Sequence, residues 1–361
     1  MDILTTEPVP TVTSCFLPDT NIQYAWDSTS LELFKRCPKL YHYVMIEGWQ
    51  PHGEGIHLRF GIEYHQALHD YETYKVLELN HDEAVCATIR DLLLRIRDWD
   101  PDPRTVSEEK KSKSHLVRTI VWYLDQFKDD PAKTVMLDNG KPALEVSFRF
   151  QLDWGPETSL STEGLQVVET REVEPSVRGG ISYGPYEVIA QFPKGDTPNY
   201  LLCGHLDRIV NFQGALFVMD RKTSGTALSS YYFNQYHPHN QMSLYAIAGK
   251  IILDTPVKGV IIDAAYIFND WTNANPFQRG VTYRTQDQMD EWFWDLSYWL
   301  KFAEECAQND HWPQNDTSCD KYGGCRFRSI CQKSPNARQT FLKSEFKQLE
   351  PEKRWNPLVA R

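Results

Sequence analysis

The sequence has 361 residues, 41% hydrophobic and 24% charged, enough for one elaborated domain or two with a substantial core. A net charge of −11 excludes a simple polycation that coats nucleic acid, and no apolar run approaches a membrane span. Met1–Glu7 lacks the basic and apolar regions of a secretory signal, and eight cysteines in so long a chain are not a disulfide scaffold, so the cytoplasm is the expected compartment.

In chain order, residues 1–27 carry scattered Pro and Thr and predict an irregular lead-in. Ser28-Thr29-Ser30-Leu31-Glu32-Leu33-Phe34 predicts a helix start, capped by a Ser or Thr and with Glu32 in its first turn. That helix meets Cys37-Pro38 and resumes through Tyr41 and Tyr43. Apolar spacing predicts helices over 61–77, 81–98 and 107–128. Alternation over Leu144–Phe150 predicts a strand, and 153–198, rich in Gly, Pro and Glu, predicts a long insertion with one or two short strands. Leu201–Val210 and Ala215–Asp220 read as strands joined across Gln213-Gly214. A helix follows over 229–251, then a strand over Val257–Phe268, apolar on both faces like a central strand. Residues 277–284 predict a further strand and 286–308 a Trp-rich helix. This order implies an α/β fold of α+β character, a mixed sheet flanked by helices, with a helical N-terminal region and a Cys-rich tail folding back. The expected segments are 1–27, 28–140, 141–310 (with the insertion) and 311–361.

The richest segment is Gly204-His205-Leu206-Asp207-Arg208-Ile209, followed by Asp220-Arg221-Lys222-Thr223. With the turn at Gln213-Gly214, Asp207 falls opposite Asp220, which puts their Cβ atoms roughly 5 Å apart. Two carboxylates that close do not both ionise without compensation. A divalent cation compensates, and hard oxygen ligands suit Mg²⁺ or Mn²⁺. Lys222 projects from the same strand face as Asp220, where an ammonium can hold an attacking water or balance phosphorane charge. Alone, the triplet reads as readily as a surface Asp–Lys ion pair. The apolar run Leu216-Phe217-Val218-Met219 favours the end of a core strand. His65 and His69 share a helix face and could both reach one metal, although His69 reads better as a core or surface residue. Gln241 and Tyr245 share a face suited to phosphate or base contacts, or to an ordinary polar edge.

In order and type these pieces resemble the PD-(D/E)XK nuclease superfamily, in the RecB-type branch that includes CRISPR adaptation nucleases and AddB-like nuclease domains. The resemblance runs from about Ser28 to Cys331. Gly61-Ile62-Glu63-Tyr64-His65 is similar to the family's Gly-x-x-x-His helix, whose His binds metal. Gly204-His205-Leu206-Asp207-Arg208 is similar to the Gly-x-x-Asp strand, with Leu206 where the nominal Pro stands. Asp220-Arg221-Lys222 matches the acid-x-Lys strand, and Gln241-Met242-Ser243-Leu244-Tyr245 the Gln-x-x-x-Tyr helix. The resemblance implies a restriction-endonuclease-like core. It implies metal held by His65, Asp207 and Asp220, catalysis by Lys222 with the two aspartates, and DNA contacts from Gln241 and Tyr245. Glu145 and Arg208 are second-rank candidates.

Cys319, Cys325 and Cys331 fall within thirteen residues, which suggests a metal or cluster site. Cys37 lies far upstream, in Arg36-Cys37-Pro38-Lys39. In the iron–sulfur members of the branch one Cys precedes the core and three follow it. The resemblance therefore implies a [4Fe–4S] cluster on Cys37, Cys319, Cys325 and Cys331. The family's C-x₂-C-x₅-C is here x₅ in both gaps, with Gly323-Gly324 inside the first. Zn²⁺ is the alternative, and a one-plus-three split without a CxxC fits it poorly. Cys15, Cys86, Cys203 and Cys306 read as unpaired thiols. Residues 320–361 hold ten Lys and Arg against four acids, so Arg326 and Arg328 could follow a DNA strand or simply be solvated.

The expected activity is that of a metal-dependent deoxyribonuclease. The expectation narrows to an exonuclease on DNA ends or single strands in replication, recombination or repair, in a bacterial or phage-infected cytoplasm. A different class stays open: a catalytically weak DNA-binding or scaffolding subunit that depends on a helicase or another replication or recombination protein. Overall acidity favours that class, and the intact set His65, Asp207, Asp220 and Lys222 opposes it. An enzyme on another phosphate substrate is a third reading, without a Walker-type loop for ATP chemistry.

Overall fold

Asp27, rather than a Ser or Thr, opens the first helix. In the computed structural model, which describes residues 14–53, 55–103, 105–152, 166–172, 186–191, 200–268, 275–321 and 324–359, Asp27 Oδ1 accepts from Ser30 N at 2.8 Å. Ser30 Oγ in turn accepts from Asp27 N at 3.1 Å. A carboxylate is the stronger acceptor at the positive end of a helix. Helix α1 is therefore Ser28–Arg36, and Glu32 falls beyond its first turn. Pro38 fits the first position of α2 (Pro38–Tyr41), which continues as a π turn over His42–Ile46.

The further helices are α3 (Ile56–Val76), α4 (His81–Arg95), α5 (Val106–Glu109), α6 (Lys113–Gln126), α7 (Ser230–Asn234), α8 (Asn240–Leu253), α9 (Gln286–Gln308), α10 (Arg328–Cys331) and α11 (Arg338–Glu345). The single helix expected over 107–128 is two, because Ser112 caps a fresh start by accepting from His115 N at 3.3 Å. The one expected over 229–251 is also two, since Pro238 cannot donate to a continuing helix. The strands are β1 (Ala25–Trp26), β2 (Trp49–Pro51), β3 (Lys133–Thr134), β4 (Leu144–Leu152), β5 (Gln166–Glu172), β6 (Tyr186–Gln191), β7 (Tyr200–Phe212), β8 (Ala215–Ser224), β9 (Gly259–Tyr266), β10 (Phe277–Tyr283) and β11 (Phe346–Gln348). The insertion expected over 153–198 contributes β5 and β6, and the rest of it lies outside the described residues.

The chain divides into two compact units, Met1–His52 with Asn199–Cys203 and Tyr298–Ala360, and Gly53–Pro198 with Gly204–Ser297. In the first, β11 pairs antiparallel with β2, and Leu40, Tyr43, Trp49, Phe327, Ile330 and Leu342 share a core. The second holds a mixed sheet in the order β10-β9-β8-β7-β4-β6-β5. Pairs β10–β9, β8–β7 and β6–β5 are antiparallel, whereas β9–β8 and β6–β4 are parallel. This is the expected α/β architecture, a mixed sheet flanked by helices and consistent with a restriction-endonuclease-like core. Among the described residues, no helix is long and apolar enough to cross a membrane.

Two close approaches position the hairpin. Helix α8 is buried from Met242 to Gly249, and Gly249 lets it lie against Val218 of β8, where a Cβ would collide. Gly204 on β7 makes room for the Phe148 ring of β4 in the same way. Arg95 ties α4 to α3, with Nε 2.9 Å from Glu63 and Nη1 2.6 Å from Asp70. The turn Gln213-Gly214 takes positive φ at both residues (51° and 78°), the conformation that suits a two-residue hairpin. Its register runs from Phe212↔Ala215 to Arg208↔Met219, as the sequence predicts.

Candidate active site

Strands β7 and β8 part where the carboxylates sit. The ladder ends at Arg208↔Met219, one pair short of Asp207 and Asp220. The Asp207 side chain replaces the missing backbone acceptor, its Oδ2 accepting from Arg221 N at 2.8 Å. A charged acceptor on a main-chain donor is a strong hydrogen bond, and it fixes the carboxylate. The same Oδ2 lies 3.3 Å from His65 Nδ1 on α3.

Asp220 is 1% exposed. Its Oδ1 accepts from Lys222 Nζ at 3.0 Å. Oδ2 lies 2.8 Å from the same ammonium without the alignment of a hydrogen bond, and has no other partner. Lys222 Nζ also donates to Gln241 Oε1 at 3.0 Å, and Gln241 Nε2 donates to Tyr245 Oη at 2.9 Å. One continuous chain of hydrogen bonds thus joins the acid-x-Lys strand to α8. Tyr245 is 6% exposed, so it orients the Gln241 amide from within the core.

The charges in this group do not balance. Burial pushes Asp220 up to about 6, Lys222 pulling it back and Asp207 adding to the rise. Burial, then Asp207, pushes Glu145 up to about 8. Burial also opposes ionisation of Asp207, but His65 and then Lys222 outweigh it and hold this carboxyl well below the usual range. For His65, burial disfavours the charged ring, and the Asp207 carboxylate overcomes it and raises the pKa. Lys222 is raised by Asp220 and Asp207 against its burial. Glu145 reaches the group from β4 with φ at 47°, a left-handed conformation that strains a residue with a side chain by about 1–3 kcal/mol.

Three carboxylates facing one lysine and one histidine carry surplus negative charge, which adds to burial in raising the proton affinity of Asp220 and Glu145. Among the described residues, no three His, Cys, Asp or Glu side chains are grouped as metal ligands, and the two aspartates pair with His65 and Lys222. The donor set of hard oxygens with an imidazole, and the unpartnered Asp220 Oδ2, fit a divalent cation.

A family model for the PD-(D/E)XK nuclease superfamily matches residues 26–332. The chain belongs to the PD-(D/E)XK nuclease superfamily. No curated protein matches the sequence. Asp220-Arg221-Lys222 lies within the matched span, and Asp207, His65, Glu145 and Gln241 gather around it.

Two predicted or considered residues fall elsewhere. Arg208 is 3% exposed and turns to the opposite face of the sheet, where its Nη1 lies 3.2 Å from Glu72 and 3.1 Å from Asp130. His69 has its Nδ1 buried without a partner, and burial lowers its pKa to about 4, so it stays neutral. Gly61 has open space where a Cβ would stand, and nothing in the structure explains a glycine there.

A network behind the site escaped the sequence reading. Arg221, Asp263 and Arg279 form a cross-strand row over β8, β9 and β10. Asp263, fully buried, accepts from the Tyr123 hydroxyl and from Arg279 Nε at 3.1 Å, while Arg279 Nη1 is 2.6 Å from Asp130. Arg221 is 1% exposed and 4.0 Å from Glu72. Its Nε and Nη1 lack partners, and the residue lines a cavity of about 10 Å³, the size of one water. The available signal was Asp263 itself, a carboxylate inside an otherwise apolar strand.

In the first unit, Cys37, Cys325 and Cys331 pack against one core group. Burial pushes Cys331 up to about 11, and Cys325, Cys37 and Cys319 all lie close enough to add to the rise. Asn315 N donates to Cys37 Sγ at 3.3 Å, and Cys325 N donates to Cys319 O at 2.8 Å. All four thiols are free.

Proposed function

We propose that this chain is a divalent-metal-dependent deoxyribonuclease of the RecB-like type, an exonuclease on DNA ends or single strands. The observation that carries the reading is the surplus of buried carboxylates beside Lys222 at the open end of the β7–β8 hairpin. His65, Asp207 and Asp220 would hold Mg²⁺ or Mn²⁺. When bound, the ion supplies Lewis acidity to phosphoryl oxygens and makes water a better nucleophile near neutral pH. Lys222, steered by Asp220 and Gln241, orients the attacking water and neutralises charge that develops on the phosphorane. The water oxygen bonds to phosphorus as the phosphorus–oxygen bond to the leaving sugar breaks. Glu145, near Asp207, would take the water's proton in its ionised form. Gln241 meets the DNA backbone, and Tyr245 positions Gln241.

The same proposal gives Cys37, Cys319, Cys325 and Cys331 a [4Fe–4S] cluster, supported by their place in one unit and by the electrostatic reach of the other three to Cys331, with Zn²⁺ as the alternative. Overall acidity supports loading onto DNA by a helicase or another replication or recombination protein.

The decisive assay incubates purified protein with single- and double-stranded DNA in Mg²⁺, Mn²⁺ or EDTA. Metal-dependent cleavage, lost in Asp220→Ala and Lys222→Ala, is expected. Cleavage that survives both changes would remove the site assignment, and DNA binding without cleavage would favour the scaffolding subunit. For the cluster, an anaerobic preparation should carry iron and visible absorbance that Cys325→Ala loses. A colourless protein with stoichiometric zinc would reverse that assignment.

A further inference from the structure

We propose that α7 is a stacking ledge for an unpaired nucleobase of the DNA strand presented to Lys222, an inference that rests on the deoxyribonuclease reading. Four of the six residues from Tyr231 to Tyr236 are aromatic, and three of those rings are engaged within the protein. Phe233 sits on Gly280 of β10, where any Cβ would collide with its ring. Tyr236 is 6% exposed and its ring lies 5.3 Å from that of His239. The Tyr236 carbonyl accepts from Thr282 Oγ1 at 3.2 Å and from Arg284 Nη2 at 3.1 Å, which pins the segment to the sheet. Tyr232 packs edge-on against Phe233 at 5.1 Å, and its hydroxyl lies 3.2 Å from that of Tyr236. That hydroxyl is within electrostatic reach of Lys222 and Asp220, so the segment borders the active site.

Tyr231 is different. It is 87% exposed, and among the described residues no hydrogen bond or ring contact engages it. An aromatic ring exposed to water on a helix pinned to the sheet offers a stacking face to any base. Ser229–His239 contains no Asp or Glu, in a chain of net charge −11, so no carboxylate of this segment repels phosphate. Bases inside a duplex are already stacked, so the occupant is the base of a single strand or of a frayed end.

The test is anisotropy of the full chain in EDTA with a labelled single-stranded oligonucleotide and a blunt duplex of the same sequence. A 2-aminopurine in the single strand reports stacking. Tyr231→Ala should weaken single-strand binding about 10-fold or more, change duplex binding less than about twofold, and restore emission that the wild type quenches. Tyr231→Phe should behave as wild type, since the ring carries the contact. No loss in Tyr231→Ala, equal loss on both DNAs, or failure of Tyr231→Phe to bind overturns the ledge. Cleavage with Mn²⁺ is measured alongside. If cleavage depends on Lys222 while Tyr231→Ala binds normally, the ledge falls and the nuclease reading stands. A wild type that neither cleaves nor binds DNA removes both.

Discussion

On one face of the β7–β8 hairpin, Asp207, Asp220 and Glu145 meet Lys222 and His65. On the other, Arg208, Arg221 and Arg279 meet Glu72, Asp130 and Asp263. The alternation of a strand separates the two groups by single residues: Asp207 from Arg208, and Arg221 from both Asp220 and Lys222. The back group is matched, three guanidinium groups against three carboxylates, and it ties β8, β9 and β10 to α3. The front group is unmatched, and burial with the excess of carboxylates raises the pKa of Asp220 and Glu145. Matched buried charge holds a fold in one arrangement, and unmatched buried charge marks where a cation belongs.

Substitutions should divide along that line. The largest effect falls on the front: Asp220→Asn or Lys222→Ala should lower kcat by about 10²–10³-fold or more. In metal-free protein, Asp220→Asn should leave the melting temperature unchanged or raise it, because a crowded carboxylate is gone. An equal loss of stability and activity would erase the distinction. On the back, Asp263→Asn should cost about 3–5 kcal/mol in a denaturant titration, since Arg279 loses the fully buried one of its two counter-charges. The activity of the folded fraction should persist at low temperature. A catalytic defect without loss of stability would move Asp263 to the front group.

Acidity sharpens the same contrast. Protons compete with metal for Asp220, so Mn²⁺ affinity should fall as pH drops through about 6, which calorimetric titration across pH 5–8 would follow. Affinity flat across that range would show that Asp220 is not a ligand. The smallest effect is expected for Tyr245→Phe, which removes the acceptor of the Gln241 amide. A net hydrogen bond of about 0.5–1.5 kcal/mol corresponds to a loss of roughly 2–10-fold in kcat/KM.

The front face was legible in the sequence because its cues are local. Gln213-Gly214 sets the register, a spacing of two puts Asp220 and Lys222 on one face, and spacings of four place Gln241 with Tyr245. What the register did not convey is that the ladder opens before Asp207 and Asp220 pair, because a side chain takes over a backbone hydrogen bond. The back face was not legible. Glu72, Asp130, Arg221, Asp263 and Arg279 are scattered over some two hundred residues, and only the sheet order makes them neighbours. The burial of Tyr245 and the turn of Arg208 away from the site depend in the same way on which layer each face meets.

The most direct measurement is the thermal or chemical stability of wild type and Asp220→Asn as Mn²⁺ is added. The unmatched front group predicts that Mn²⁺ stabilises the wild type by about 3 kcal/mol at a hundredfold excess over its Kd, and stabilises Asp220→Asn far less. Equal stabilisation of the two proteins, or none in either, would contradict the account.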